Sequence, residues 1–215
     1  MAGGIVKLLI ITMFFLGLQA NEMYSYAKIN GHKVKIHSVH YYLKQFNNYL
    51  SEKQINIMNR VWNKAKPFDL QYTMTAIAFK ESAFGRALSN DNDGRGTDLG
   101  SYGVFHNLVD SVYDRYMSIK PKSKIEQWEI KLYLAKRLRD DFDFSFSQAL
   151  AELKYWENYT IARGQEWNKW KLMIMRYNGG TFGDKNTKSI QYYYEIVNII
   201  KALKLYRDKH MKGSK

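Results

Sequence analysis

The sequence predicts an all-α body with a small N-terminal extension. Three observations carry that class. Apolar residues recur at spacings of three and four through most of the chain after residue 51. Turn signals such as Pro67 and Asn178-Gly179-Gly180 separate these stretches. Before them, short β-branched pieces such as Lys33-Val34-Lys35-Ile36 read as an extended arm or hairpin reaching to about His40. The chain has 215 residues, enough for one domain with a substantial core. It has no cysteine, so neither a disulfide framework nor a Cys-based zinc site is possible. Its five histidines show no HExxH-type spacing, and no metal or cofactor is expected.

In chain order, residues 1–20 are expected to be a signal peptide. Lys7 precedes the apolar run Leu8–Leu18, and Ala20 offers a small residue for cleavage. An uncleaved anchor is the alternative, although the run is shorter than the roughly 20 residues of a comfortable span. Ser51-Glu52-Lys53-Gln54 is a capping-box pattern opening a helix that carries Ile55, Met58, Val61 or Trp62, and Ala65. Pro67 separates it from the next helix, in which Leu70, Met74, Ile77 and Glu81 share one stripe. Residues 89–101 are turn-rich. An EF-hand register there places Ser89 first and Gly100 twelfth, so the first carboxylate and the closing Glu are both missing. A flexible loop over a cleft is expected instead. Helices follow over Ile125–Leu138, with Ile125, Trp128, Glu129, Leu132, Ala135 and Leu138 in register, from a Ser145–Gln148 cap through Tyr159, over Trp167–Tyr177, and over Gln191–Leu205.

Glu81 is the first candidate for chemistry. It continues an apolar stripe, and a carboxyl at an apolar rim loses hydration, which disfavours its charged form. An acid that keeps its proton near neutral pH can protonate a glycosidic oxygen. Two further segments accompany it. One is Gly100-Ser101-Tyr102-Gly103-Val104-Phe105-His106; the other is Arg176-Tyr177-Asn178-Gly179-Gly180. The order Glu81-Ser82, then Gly103–His106, then Tyr177–Gly180 resembles the soluble lytic transglycosylase family, from about Phe68 to Leu203. That family carries Glu-Ser, Gly-Leu-Met-Gln, Tyr-Asn-Ala-Gly and a Tyr in a late helix.

The resemblance implies a lysozyme-like domain over 67–205, preceded by an arm and first helix over 21–66 and followed by a basic tail over 206–215. It implies cleavage of peptidoglycan between N-acetylmuramic acid and N-acetylglucosamine, with a 1,6-anhydro product and Glu81 as the single catalytic acid. It implies that Gly103, Val104 and Phe105 line the cleft, with a sugar approaching the glycine backbone. His106 stands where the family has Gln and keeps the capacity to donate and accept hydrogen bonds. A titrating ring beside Glu81 also bears on the pH profile. The resemblance further implies that Tyr177 shapes the wall, that Asn178 binds sugar or supports its loop, and that Ser82 belongs to the same substrate-binding set. Tyr193, four residues before Val197, is the late Tyr, with Tyr192 or Tyr194 in that role if the register slips.

A formal net charge of +13 favours polyanionic partners. A loose cluster, Lys201, Lys204, Arg207, Lys209, Lys212 and Lys215, ends the chain. No nucleic-acid motif is present; the expected export signal and the resemblance together imply peptidoglycan as the partner and the periplasm or cell envelope as the place. The membrane enters only through an uncleaved N-terminal segment. Two other readings remain open: a hydrolytic lysozyme of goose or phage type using Asp91, Asp93 or Asp98, and a non-catalytic wall-binding or assembly protein.

Overall fold

The computed structural model describes residues 23–29, 31–90, 99–117, 121 and 123–211. The expected leader, residues 91–98 of the turn-rich loop, and Lys212 and Lys215 of the tail lie outside them. The chain is mainly helical, as its sequence predicts. It divides into two compact units: Met1–Tyr49 with Ile174–Lys215, here the terminal unit, and Leu50–Met173, the central unit. The divisions fall elsewhere than the sequence-read boundaries after 66 and 205. Residues 174–205 group with the N-terminal hairpin because the last helix packs on it.

The terminal unit opens with strands β1 (Tyr24–Ile29) and β2 (His32–His37), paired antiparallel from Tyr24↔His37 to Ile29↔His32. This is the expected hairpin, and Gly31 at φ +84° serves its connection. Its alternation buries Ala27, Ile29 and Ile36 on one face. The other face carries Lys33 over Tyr26 (4.1 Å) and Lys35 over Tyr24 (3.6 Å). Helix α1 (Val39–Asn48) is capped by Ser38, whose hydroxyl accepts from Tyr41 N at 3.1 Å, and buries Tyr42 and Phe46.

The central unit begins with α2 (Glu52–Ala65), opened by the expected capping box between Ser51 and Gln54. Of the Val61 and Trp62 alternatives, Val61 is the fully buried one. Pro67 sits in a 3-10 turn, Lys66–Phe68. Helix α3 (Gln71–Ser82) is buried on nearly every side, from Thr73 through Ala78. Short strands β3 (Ser89–Asn90), β4 (Ser101–Tyr102) and β5 (Asn107–Leu108) then form an antiparallel sheet in the order β3-β4-β5.

Helices α4 (Val109–Tyr116), α5 (Lys124–Asp140) and α6 (Phe142–Ala162) complete the central core around Val109, Val112, Leu134 and Leu138. Two expectations are corrected here. In α5 the inward stripe is Lys131, Leu134, Ala135 and Leu138. Ile125 and Trp128 are exposed, because that end of the helix is not covered. Helix α6 starts at Phe142, capped by Asp141, whose Oδ1 accepts from Phe144 N at 3.0 Å. Ser145 is not a cap but a fully buried residue inside it. After a 3-10 turn at Glu166–Asn168 come α7 (Lys169–Gly179) and α8 (Thr187–Met211), the latter longer at both ends than the sequence pattern suggested.

Candidate functional site

The site grows from the C-terminal end of α3. This buried helix ends abruptly. Ala83 (φ 48°), Phe84 (φ 56°) and Gly85 (φ 81°) all adopt left-handed backbone. Such a conformation costs a non-glycine residue roughly 1–2 kcal/mol, and strained residues cluster where function over-determines them. The turn is held from both sides. Gln54 of the capping box donates from Nε2 to Ala83 O at 2.7 Å, tying α2 to the helix end. Phe84 is completely buried. Glu81 therefore stands at the last turn of a fixed helix.

His106 too has a positive φ, 44°. Its loop, Gly103–His106, joins β4 to β5. Ser82 fastens this loop to α3: its hydroxyl lies 2.7 Å from Val104 O and 3.1 Å from Ala78 O, and it accepts from Gly85 N at 2.8 Å. Ser82 is 2% exposed. With those bonds filled it works as a fastener, not as a group for a sugar to touch.

Gly103 sits at φ +85°, and a Cβ there would collide with the Leu138 carbonyl oxygen and the Ser145 hydroxyl. The glycine permits close approach, as expected, but what approaches is the α5–α6 junction and not a sugar. Asn107 Nδ2 reinforces that junction, donating to Ser145 O at 3.0 Å. Val104 and Phe105 are also buried, Phe105 edge-on to Phe146 at 5.9 Å. They are the packed underside of the loop. Of its four motif residues, His106 alone keeps part of its surface open.

The result is a carboxylate and an imidazole face to face. Glu81 Oε2 lies 3.6 Å from His106 Nδ1, with side-chain exposures of 19% and 10%. The distance is that of an ion pair, slightly long for a hydrogen bond. The other ring nitrogen, Nε2, lies 3.0 Å from Ala87 O. Burial works against a charged ring, but the facing Glu81 carboxylate, with the Ala87 carbonyl, outweighs it and holds the His106 pKa above its ordinary value.

A cavity of about 540 Å³ lies in the same unit, with Ile57, Leu88, Val104 and Phe142 among its walls. It shares Val104 and Gly85 with the motif region, but neither Glu81 nor His106 lines it. Its guanidinium groups are engaged, Arg60 with Asp143 at 3.0 Å and Arg139 with Asp140 at 2.8 Å. In the Glu81–His106 pair, by contrast, two titratable groups face each other. Among the described residues no cluster of His, Cys, Asp or Glu could hold a metal ion.

Tyr177, Asn178 and Tyr193 belong to the terminal unit. Asn178 Oδ1 accepts from the Ser189 hydroxyl at 3.0 Å, and a Cβ on Gly179 would collide with that same hydroxyl. Asn178 thus supports the turn into α8. Tyr177 is half-buried on α7. In α8, Tyr192 is buried and Tyr194 packs against the hairpin core, leaving Tyr193 as a half-open phenol of the three. Burial, then the neighbouring Tyr194, push its pKa upward. No family model, curated protein or solved structure matches this chain.

Proposed function

We propose that this chain cleaves the glycan strands of peptidoglycan as a lytic transglycosylase, with Glu81 as its acid and then its base. The observation that carries the reading is the Glu81 carboxyl. It is part-open to solvent, backed by an imidazole, and fixed at the end of a buried helix by three consecutive left-handed residues. A positioned proton donor of this kind is what glycosidic cleavage needs.

In this reading Glu81 gives its proton to the oxygen between N-acetylmuramic acid and N-acetylglucosamine. The C1–O bond breaks with its electron pair on that oxygen, leaving an oxocarbenium-like muramic ring. The C6 hydroxyl of the same ring then bonds to C1 and loses its proton to the Glu81 carboxylate. No water is consumed and the proton balance closes. Asp91, Asp93 and Asp98, which would serve a water-using enzyme, lie outside the described residues. The excess of 13 positive charges favours an acidic wall polymer as partner. We place the chain in the periplasm or cell envelope on the strength of the Lys7–Ala20 pattern.

Purified sacculi incubated with the protein test this. Turbidity should fall, and mass analysis should find 1,6-anhydro ends. Reducing ends would convert the assignment to a hydrolytic muramidase. Intact sacculi would leave a binding or assembly protein.

A further inference from the structure

Resting on that reading of Glu81, we propose that His106 is a positioning residue that shares one proton with Glu81 and holds it within reach of the carboxyl until the leaving oxygen takes it.

Ala87 O is a carbonyl oxygen and can only accept, so the His106 nitrogen 3.0 Å from it, Nε2, carries a hydrogen. The tautomer is assigned from this contact. In the neutral ring, Nδ1 then presents a lone pair, and it is Nδ1 that faces Glu81 Oε2 at 3.6 Å. A lone pair facing a bare carboxylate would be repulsive. The pair is favourable in two forms: a protonated carboxyl against neutral Nδ1, or a carboxylate against the doubly protonated ring. Both contain the same single proton, on one side or the other of one contact.

The backbone makes this arrangement specific. His106 sits at φ 44°, a conformation held by the β4–β5 loop, which Ser82 and Gly103 pin in turn. Ala87 follows the left-handed turn that ends α3, and both Arg86 N and Ala87 N donate to Ser82 O. The carbonyl that fixes the tautomer and the carboxyl that shares the proton are therefore set by one short stretch of chain. Among the described residues, the charge acting on the ring is that of Glu81. Asn107, the next residue, is buried and neutral.

This has a consequence for catalysis. A lone carboxyl loses its proton at the ordinary carboxylate range of about 4. A pair that includes imidazole retains one proton to higher pH, in keeping with the upward direction of the His106 pKa. When Glu81 protonates the leaving oxygen, the pair gives up its one proton, and the carboxylate is left beside the neutral Nδ1, ready to act as a base. When the C6 hydroxyl returns a proton to Glu81, the pair is restored. The stability sign agrees. The stabilisation from the pair is complete below the ordinary histidine value of about 6.5 and fades as pH rises through the raised folded value.

Two measurements on the full chain decide the matter separately. The first is two-bond ¹H–¹⁵N correlation of protein carrying ¹⁵N-histidine, with His106 assigned by its loss in His106→Gln. We expect the Nε2–H tautomer above its pKa, and a drop of roughly one unit in that pKa in Glu81→Gln. An Nδ1–H tautomer, or a titration that Glu81→Gln leaves in place, overturns the shared proton whether or not sacculi are digested. The second is the pH profile of kcat/KM. His106→Gln, which keeps hydrogen bonding but holds no proton, should move the alkaline limb down by roughly one unit. An unmoved limb overturns the positioning role. A shared proton seen by NMR in a protein that releases no fragments supports the pair and overturns the glycan-cleaving reading instead. Gln must also adopt the φ of 44° there. If that variant does not fold, the Glu81→Gln spectra still decide, with the remaining histidines assigned one by one.

Discussion

Each unit of this chain sets a carboxylate against an imidazole at nearly the same distance, yet the two pairs are built in opposite senses. In the central unit, Glu81 and His106 are 3.6 Å apart, and the ring is the more buried partner, at 10% against 19%. In the terminal unit, Glu195 and His37 are 3.8 Å apart, and the acid is the more buried, at 7% against 34%. His37 stacks on Tyr41 at 4.1 Å and on Tyr24 at 5.3 Å. Asn198 Nδ2 donates to its carbonyl at 2.9 Å. Burial, then the charge of Glu195, push the nearby Tyr42 hydroxyl far upward, so it stays neutral. A proton leaves a carboxyl only toward something that can reach it. Glu195 is enclosed by groups that hold hairpin to helix; Glu81 keeps a side open. The difference between a strut and a site is therefore which member of the pair faces out.

Neutralising each acid in turn separates the two pairs most clearly. Glu81→Gln should lower sacculus digestion by about 10²–10⁴-fold with an unchanged circular dichroism spectrum. Glu195→Gln should keep activity within about tenfold but lose roughly 1–3 kcal/mol of stability, read by denaturant titration, because it disturbs a buried polar network. If the losses are exchanged, the assignment of strut and site is reversed.

A second test strikes the loop beneath His106. Gly103→Ala must place a Cβ against Leu138 O and the Ser145 hydroxyl at φ +85°. A cost of up to about 3 kcal/mol is expected from overpacking alone, seen as a lower melting temperature. A melting temperature equal to wild type would mean that the junction yields easily.

The smallest test compares the fasteners of the two units. Ser82→Ala strands a buried Val104 carbonyl and Gly85 amide and should cost about 1–2 kcal/mol. Asn178→Ala releases one part-buried bond to Ser189 and should cost about 0.5–1 kcal/mol. Equal costs would show that burial is not what separates them.

Part of this could be read from sequence because it is local. The capping box at Ser51, the proline break, the helix ending at Glu81-Ser82 and the Asn178–Gly180 stop each depend on neighbours a few residues away. The three-stranded sheet could not be read that way, because strands of two residues leave no alternation to detect. The α6 start was misplaced because Ser145–Gln148 also fits a capping box, while the cap in use is Asp141. The partners of Ser145 lie on β5 and on the Gly103 loop. The same limit applies at the site. The sequence placed a histidine where the resemblance expects glutamine, and so raised the matter of a titrating ring beside Glu81. It carried no sign of the Ala87 carbonyl that fixes the ring's tautomer, nor of the buried roles of Ser82, Gly103, Val104 and Phe105. The left-handed Ala83 and Phe84 had no signal at all, since neither residue type announces that conformation.

The lysine–tyrosine face of the N-terminal hairpin has a consequence of a different kind. A two-stranded sheet has two open edges, and every unpaired amide along them invites another strand to add on. This hairpin is short, and isolated hairpins are marginal in water. Its edges would be a route to strand addition if its outer surface were apolar. Lys28, Lys33 and Lys35 line that surface instead, two of them lying across the Tyr24 and Tyr26 rings. The lysine stems cover aromatic area while the ammonium groups repel a second copy of the same ribbon. Charge on this face thus opposes edge-to-edge pairing, and replacing those lysines with uncharged residues is expected to raise aggregation, read by light scattering, before it disturbs any contact in the core.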